Sequence, residues 1–586
     1  MAFQLSPGVQ IQENDQTNVV PAVSSSIGAY AGYFLWGPVN EVRTITSENQ
    51  LVSTFGRPGE DQQGTPVNNT VDFHSAANFL AYAGNLKVVR AVGTSARNAV
   101  GEGTAPKIDN DLDYDENHVS GSNSVGLWAA KYPGALGNSL LVGMIDVAGF
   151  TGWTYEGQFG VAPGTSDYAV ALGNSAADDE LHIIVVDEDG VITGTAGTVL
   201  EKFANVSKAR DAKGSNGESI YYKDVINANS KYIYWMDHIT TEGTSGTDFE
   251  ATSGTVIAWG NTVPASGIAF SNMIDASGYE AVSLGSGIDD DPADGDLYAS
   301  GSGYGLFTNK EEIEIDLVIT GDHSTTVCQN VIDNVVLGRK DCVAFVSPEL
   351  ADVQNNAGSE ADDVVSYFET LARYNSYTVA DSGWKRQYDK YNDVYINVPL
   401  NPDVAGLCAL TDRTNDAWWS PAGLNRGAIR NAVKLLYSPG QTDRDTLYVA
   451  GINPVVNLSG QGIVLFGDKT LLRKPSAFDR INVRRLFLIL EKSLGTAAKF
   501  QLFEFNDAFT RSQFRSMVEP FLRTVQGRRG IYDFRVVCDE SNNTGEVIDR
   551  NEFVADIYIK PARSINFIRL NFIATRTSVS FEELGA

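Results

Sequence analysis

The sequence predicts a multidomain chain of mixed α/β and α+β class. A discontinuous α/β domain is interrupted by a β-rich insert and followed by an α+β block, with a strand-like arm at each end. Three observations carry this reading. Strand and helix patterns alternate before residue 96 and again after residue 299. The stretch between them is rich in Gly, Ser, Thr, Asn and Asp and poor in long helical periods. Both ends of the chain show period-2 alternation, the mark of half-buried strands. At 586 residues there is chain enough for about four domains of ordinary size.

The N-terminal arm, 1–20, places Val9, Ile11 and Glu13 on one parity after Ser6-Pro7-Gly8. The first α/β segment, 21–95, opens with a strand in which Ile27, Ala29, Ala31 and Tyr33 alternate. Ser47 with Gln50 three residues later is a capping-box signature, and Leu51 and Phe55 then form an i,i+4 apolar pair. The pattern predicts a second helix over 71–83, stopped by Gly84, and a strand over 86–92. The insert, 96–298, holds short runs such as His182 to Val186 and reads as an acidic surface domain.

The second α/β segment, 299–470, predicts a strand over 313–319 and another over 342–346. Between them Val327, Cys328, Val331, Ile332, Val335 and Val336 share one helical face, which completes a βαβ unit. Insertions are best tolerated in exposed loops whose ends lie close together, so 21–95 and 299–470 read as one domain. The α+β block, 471–565, starts with an amphipathic helix over 483–494. A second helix follows Asn506-Asp507, with Phe509, Phe514, Met517, Phe521 and Val525 as core candidates. Pro520 is predicted to kink or restart it. Strands over 531–537 and 553–559 come next, and the C-terminal arm, 566–586, aligns Ile568, Leu570, Phe572 and Ala574. Each terminal strand can complete its own sheet or add to a neighbour's edge by β-augmentation.

A net charge of -29 argues against non-specific binding of nucleic acid or of an anionic membrane. The charge is uneven: residues 471–586 hold 18 Lys and Arg against 14 Asp and Glu, a net of +4. A basic block on an acidic chain suggests two faces with different partners. No apolar run is long enough to span a bilayer, and the first dozen residues carry no signal-peptide pattern, so a cytoplasmic site of synthesis and assembly is expected. Cys328, Cys342, Cys408 and Cys538 lie far apart and read as buried, reduced thiols.

No catalytic, metal or cofactor site is predicted. His74, His118, His182, His238 and His323 are scattered, with no triad or zinc motif around them, and read as packing or surface residues. Gly462 to Thr470 superficially resembles a phosphate loop, but Asp468 adds a residue and a negative charge where backbone N–H groups should cradle phosphate. The acidic run Asp289 to Asp296 puts Pro292 and Gly301 where calcium ligands are needed, and the run Asp109 to Asp113 fails similarly; both read as solvated acidic turns. An NTPase built on the βαβ unit is therefore the weaker alternative.

Several motifs resemble the contractile tail sheath proteins of myovirus-type bacteriophages. They are Ser6-Pro7-Gly8-Val9, Trp36-Gly37-Pro38, Leu51 to Gly56 and Tyr132 to Asn138, then Gln387 to Asp393, Ala405 to Cys408 and Trp419 to Gly423. Most specific are Phe478 to Leu486, Ile548 to Phe553 and Pro561 to Asn566. The match covers nearly the whole chain except parts of 96–300. Larger proteins of this type carry an additional outer domain where only Ser95 to Val125 stands here, so that domain is expected to be reduced or missing.

The resemblance implies a virion component that polymerises as stacked hexameric rings around a tail tube. Its C-terminal domain would be innermost and its arms exchanged with neighbouring subunits. Contraction would drive the tube through the host envelope for genome delivery. Partners would be other copies, the tube protein, and baseplate and terminator proteins, with no direct contact to nucleic acid and no membrane insertion. Arg484 and Arg485, on the first helix of the basic block, are the tube-facing candidates. A phage-derived injection system or bacteriocin sheath is the alternative within the same class.

Overall fold

Short runs of small and β-branched residues build the central sheet of the chain. Gly28–Tyr33, Leu317–Ile319, Val343–Val346 and Thr378–Asp381 are buried at every position, and Leu86–Ala91 at all but one. Strands buried on both faces suit a parallel sheet covered by helices. The computed structural model describes residues 24–59, 68–121, 124–238, 256–273, 280–566 and 569. It divides into two units: one of Ser24–Thr414 with Pro421–Asp479, the other containing Asn415–Ser420 and the chain from Arg480 onward.

In the larger unit the sheet has seven strands. Their order is Ile452–Asn453, Thr378–Asp381, Val343–Val346, Leu317–Ile319, Gly28–Tyr33, Leu86–Ala91 and Arg43–Ile45. All neighbours are parallel except the last pair. Gly28 is required by packing, since a Cβ there would stand 2.6 Å from the Phe79 ring. Ser47 caps the Glu48–Phe55 helix by accepting from the Gln50 N–H, as its spacing predicts. The helix predicted over 71–83 runs Asn68–Leu80.

The strand predicted from residue 313 begins at Leu317, because the Ile313 carbonyl is taken by the buried Arg339 guanidinium at 2.8 Å. The helical face from Val327 to Val336 is buried as expected, although Val331–Val336 forms a π-turn inside that helix.

A doubly wound sheet holds ligands at the carboxyl ends of its strands. Side chains fill that edge here. Asn401 accepts from the Gly321 N–H at 3.0 Å and donates to the Gly321 carbonyl at 2.8 Å and to Ser347 Oγ at 3.0 Å. Ser347 in turn donates to Asp381 at 2.7 Å. His323 stacks on Tyr30, with ring centroids 5.9 Å apart, and meets Tyr304 edge-on. The neighbouring ion pair Lys385–Asp403, at 2.9 Å, is wholly buried and accepts a further bond from Tyr82. The segment resembling a phosphate loop is the strand Gly462–Leu465, hairpinned to Val455–Leu458, with Asp468 buried beyond it.

The region of the insert contains a four-stranded sheet ordered Val282–Ser283, Leu140–Asp146, Glu180–Asp187 and Thr198–Ser207, antiparallel throughout. Its core includes Trp128, Trp235 and Trp259. Buried Lys208 meets Asp146 at 2.8 Å and lies over the Trp259 ring. The acidic run 289–296 is largely exposed, as expected of solvated turns, and its carboxylates also take backbone donors. Asp289 accepts from the Ala135 N–H and Asp290 from the Ser95 N–H, at 2.9 and 2.7 Å, while Asp296 accepts from the Ala293 N–H. These carboxylates satisfy backbone donors where the chain enters and leaves the insert while remaining open to solvent.

Candidate assembly surface in the smaller unit

Among the described residues, two long helices, one hairpin and a short helix, Gly545–Asp549, between its strands build the smaller unit. Ile481–Lys499 sets Leu486, Leu490, Leu494 and Ala497 along one face at helical spacing. Ala508–Gly527 answers with Phe514, Met517, Val518, Leu522 and Val525. Asp507 caps this second helix, accepting from the Thr510 N–H at 2.8 Å, and that bond holds its carboxyl below the usual range. Phe509, expected in the core, is 74% exposed on the first turn. The helix neither stops nor restarts at Pro520. Proline removes the N–H that Ser516 would use, but both residues are exposed, so water can serve that carbonyl.

The hairpin pairs Ile531–Val537 with Asp556–Pro561 in antiparallel register. The second strand starts at Asp556, not Phe553, because local contacts hold the residues before it. Phe553 meets Phe514 edge-on at 5.4 Å, and the Val554 backbone exchanges two hydrogen bonds with the Asn543 side chain. Among the described residues no third strand joins this hairpin, and none of them pairs with either outer edge. An isolated pair of strands is marginal on its own, and open edges are templates for another chain.

The unit has two distinct ends. At one, the loop between the helices lies beside the turn that joins the strands, with Asn506 donating to the Glu552 carbonyl at 2.8 Å. At the other, Ala562 N–H bonds the Gly530 carbonyl, and Trp418 donates to the Arg528 carbonyl. Arg528 there pairs with Asp416 at 3.1 Å, and Arg529 lies over Trp419.

Arg484 and Arg485 sit on the first helix as predicted, but they are only 6% and 3% exposed in the subunit. Both side chains are covered within the subunit and do not form a solvated face. Val9, Ile11, Glu13, Ile568, Leu570, Phe572 and Ala574 lie outside the described residues. Sequence reasoning missed the loop between the helices, where Phe500, Leu502, Phe503 and Phe505 are strongly exposed together with Phe509. The available signal was five large apolar residues in ten positions that fit neither a helical nor a strand period.

The histidines pack against other side chains instead of forming a reactive cluster. His74 is 3.3 Å from Asp389, His182 stacks on Phe159, and His238 lies between Tyr221 and Tyr222, its pKa pushed down to about 3 by burial. The four cysteines are free and buried. Among the described residues no group of His, Cys, Asp and Glu could hold a metal ion.

Residues 311–471 match the phage tail sheath protein central domain, and residues 473–575 the phage tail sheath C-terminal domain. The tail sheath proteins of Vibrio phage KVP40 and Enterobacteria phage T4 are each 33% identical to this chain, over 99% of both sequences. The tail sheath protein of Salmonella phage ViI is 34% identical, over 100% of this chain and 98% of that protein. In fold, the chain is similar to a crystallised sheath tail protein from Listeria innocua, with a TM-score of 0.52, 11% identity and 93% of each chain covered.

Proposed function

We propose, since the chain belongs to the phage tail sheath protein family, that it polymerises around a tail tube as stacked hexameric rings and contracts to drive that tube through the host envelope. It is a structural subunit of a contractile tail sheath. The carrying observation is relatedness at one third identity along essentially the whole length. The two-edged hairpin supports an assembly in which neighbouring arms, 1–20 and 566–586, supply the missing strands. The partners proposed are further copies of the chain, the tube protein, and the baseplate and terminator proteins, within a virion assembled in the host cytoplasm. No catalytic role is assigned.

In the proposed layout, 21–95 and 299–470 form one α/β domain, 96–298 an outer β-rich layer, and 471–565 the inner domain. Arg484 and Arg485 remain tube-facing only if assembly uncovers their side of the helix. No nucleotide is required: the extended sheath is a kinetically trapped state. Release of one ring lets subunits rotate nearly as rigid bodies and bury more inter-subunit surface. Negative-stain imaging of the purified full chain tests the reading. Striated tubes are expected; monodisperse monomers at every protein and salt concentration, with and without tube protein, would refute it.

A further inference from the structure

We propose that the smaller unit docks head to tail on a second copy of itself, its phenylalanine-rich end seated on the basic end of the next subunit; this rests on the sheath reading above. Phe500, Leu502, Phe503, Phe505 and Phe509 fall within ten consecutive positions, and Phe503 is completely exposed. Monomeric surfaces rarely leave more than a few hundred Å² of contiguous apolar area uncovered. Such a patch calls for a cover, and charge selects which.

Around the phenylalanines, residues 499–515 and 538–556 carry eight Asp and Glu against four Lys and Arg. At the opposite end, residues 523–530 and 560–566 carry five Lys and Arg and no acid. That basic end also exposes Tyr532 and Ile565, apolar surface for the rings to meet. Two phenylalanine ends brought together would juxtapose like charge. A phenylalanine end on a basic end pairs opposite charge and sets the rings against the exposed Tyr532 and Ile565. The contact is heterologous, so it propagates from copy to copy instead of closing as a dimer.

Cross-linking in assembled sheath tests the contact. The full chain carries Phe503→Cys and Arg529→Cys together, or either alone, on a background whose four native cysteines are buried. A short bis-maleimide should give a ladder of dimers, trimers and higher species from the double variant and only monomers from each single one. Normal tubes without a ladder overturn the proposal, as does a product joining position 503 to a tube protein. Should the double variant build no tubes, charge reversal decides. Arg528→Glu with Arg529→Glu, and separately Glu546→Arg with Asp549→Arg, should each fold normally and lose assembly at low salt. Their equimolar mixture should then assemble as an alternating copolymer, with at least a tenfold recovery of polymer over either alone. Failure of the mixture overturns the proposal. A wild-type chain that never forms tubes takes the proposed function down with it, whereas tubes without these couplings remove only the head-to-tail contact.

Discussion

At the scale of single residues, Asp381 shows how burial sets a protonation state. It is buried at the end of its strand, accepting from Ser347 Oγ at 2.7 Å and from the Gly383 N–H at 3.0 Å. Burial pushes its pKa up to about 8 against the pull of those two bonds. In the unfolded chain an aspartate titrates at about 3.9. Between that value and the folded one the native state binds more protons than the unfolded state, so Asp381 lowers stability as pH rises through the interval. The melting temperature is therefore expected to fall between pH 5 and pH 8.5. Asp381→Asn should flatten that slope and melt at or above the wild type at pH 8.5. An unchanged slope in the variant would show that Asp381 is ionised in the fold. None of this was legible in the sequence, where an aspartate ending a strand reads as a turn residue. Its burial follows from Asn401 drawing the ends of two neighbouring strands together 20 residues away, which no local pattern encodes.

At the scale of elements, periodicity was legible wherever one face meets a continuous core. The Val327 to Val336 stripe is buried as read, and the amphipathic helix read over 483–494 lies within Ile481–Lys499 with Leu486, Leu490 and Leu494 in the core, since helical spacing alone decides which side is apolar. Elements were misread where a side chain competes for a backbone group. Arg339 shortens one strand from 26 residues away, and Asn543 delays another from 11 residues away, beyond the reach of a local pattern. The restart expected at Pro520 does not occur for a solvent reason: the orphaned carbonyl faces water and not a packed neighbour. Pro520→Ala should consequently raise stability, by up to about 3 kcal/mol, the cost of a proline in an exposed helix interior. A shift of the urea midpoint to higher concentration at constant slope checks this. Phe514→Ala, by contrast, removes a ring packed against Phe553 in the core between the helices and should cost about 3–5 kcal/mol. Equal and small effects of the two substitutions would mean that the helix pair is not the core of this unit.

At the scale of the whole molecule, the argument turns on where hydrogen bonds go. The larger unit closes its seven-stranded sheet with strands of its own, whereas the hairpin of the smaller unit has two strands and, among the described residues, no partner at either edge. Residues 2–14 and 566–581 carry period-2 patterns with little of the apolar mass that a core needs. Pairing them with a neighbour's hairpin would satisfy those edges. Each backbone bond so made is worth only about 1 kcal/mol net, too little for a single contact to hold two subunits. Many arms acting at once in every ring raise the effective concentration and make the lattice cooperative, while main-chain pairing stays indifferent to side-chain changes as subunits rotate. Deleting either arm should leave a soluble monomer whose melting temperature lies close to that of the full chain and which forms no sheath with or without tube protein. An arm-deleted chain that still builds contractile tubes would show that side-chain interfaces suffice. One that cannot fold would place these strands in the subunit's own core, and the open edges of the hairpin would then be filled from within.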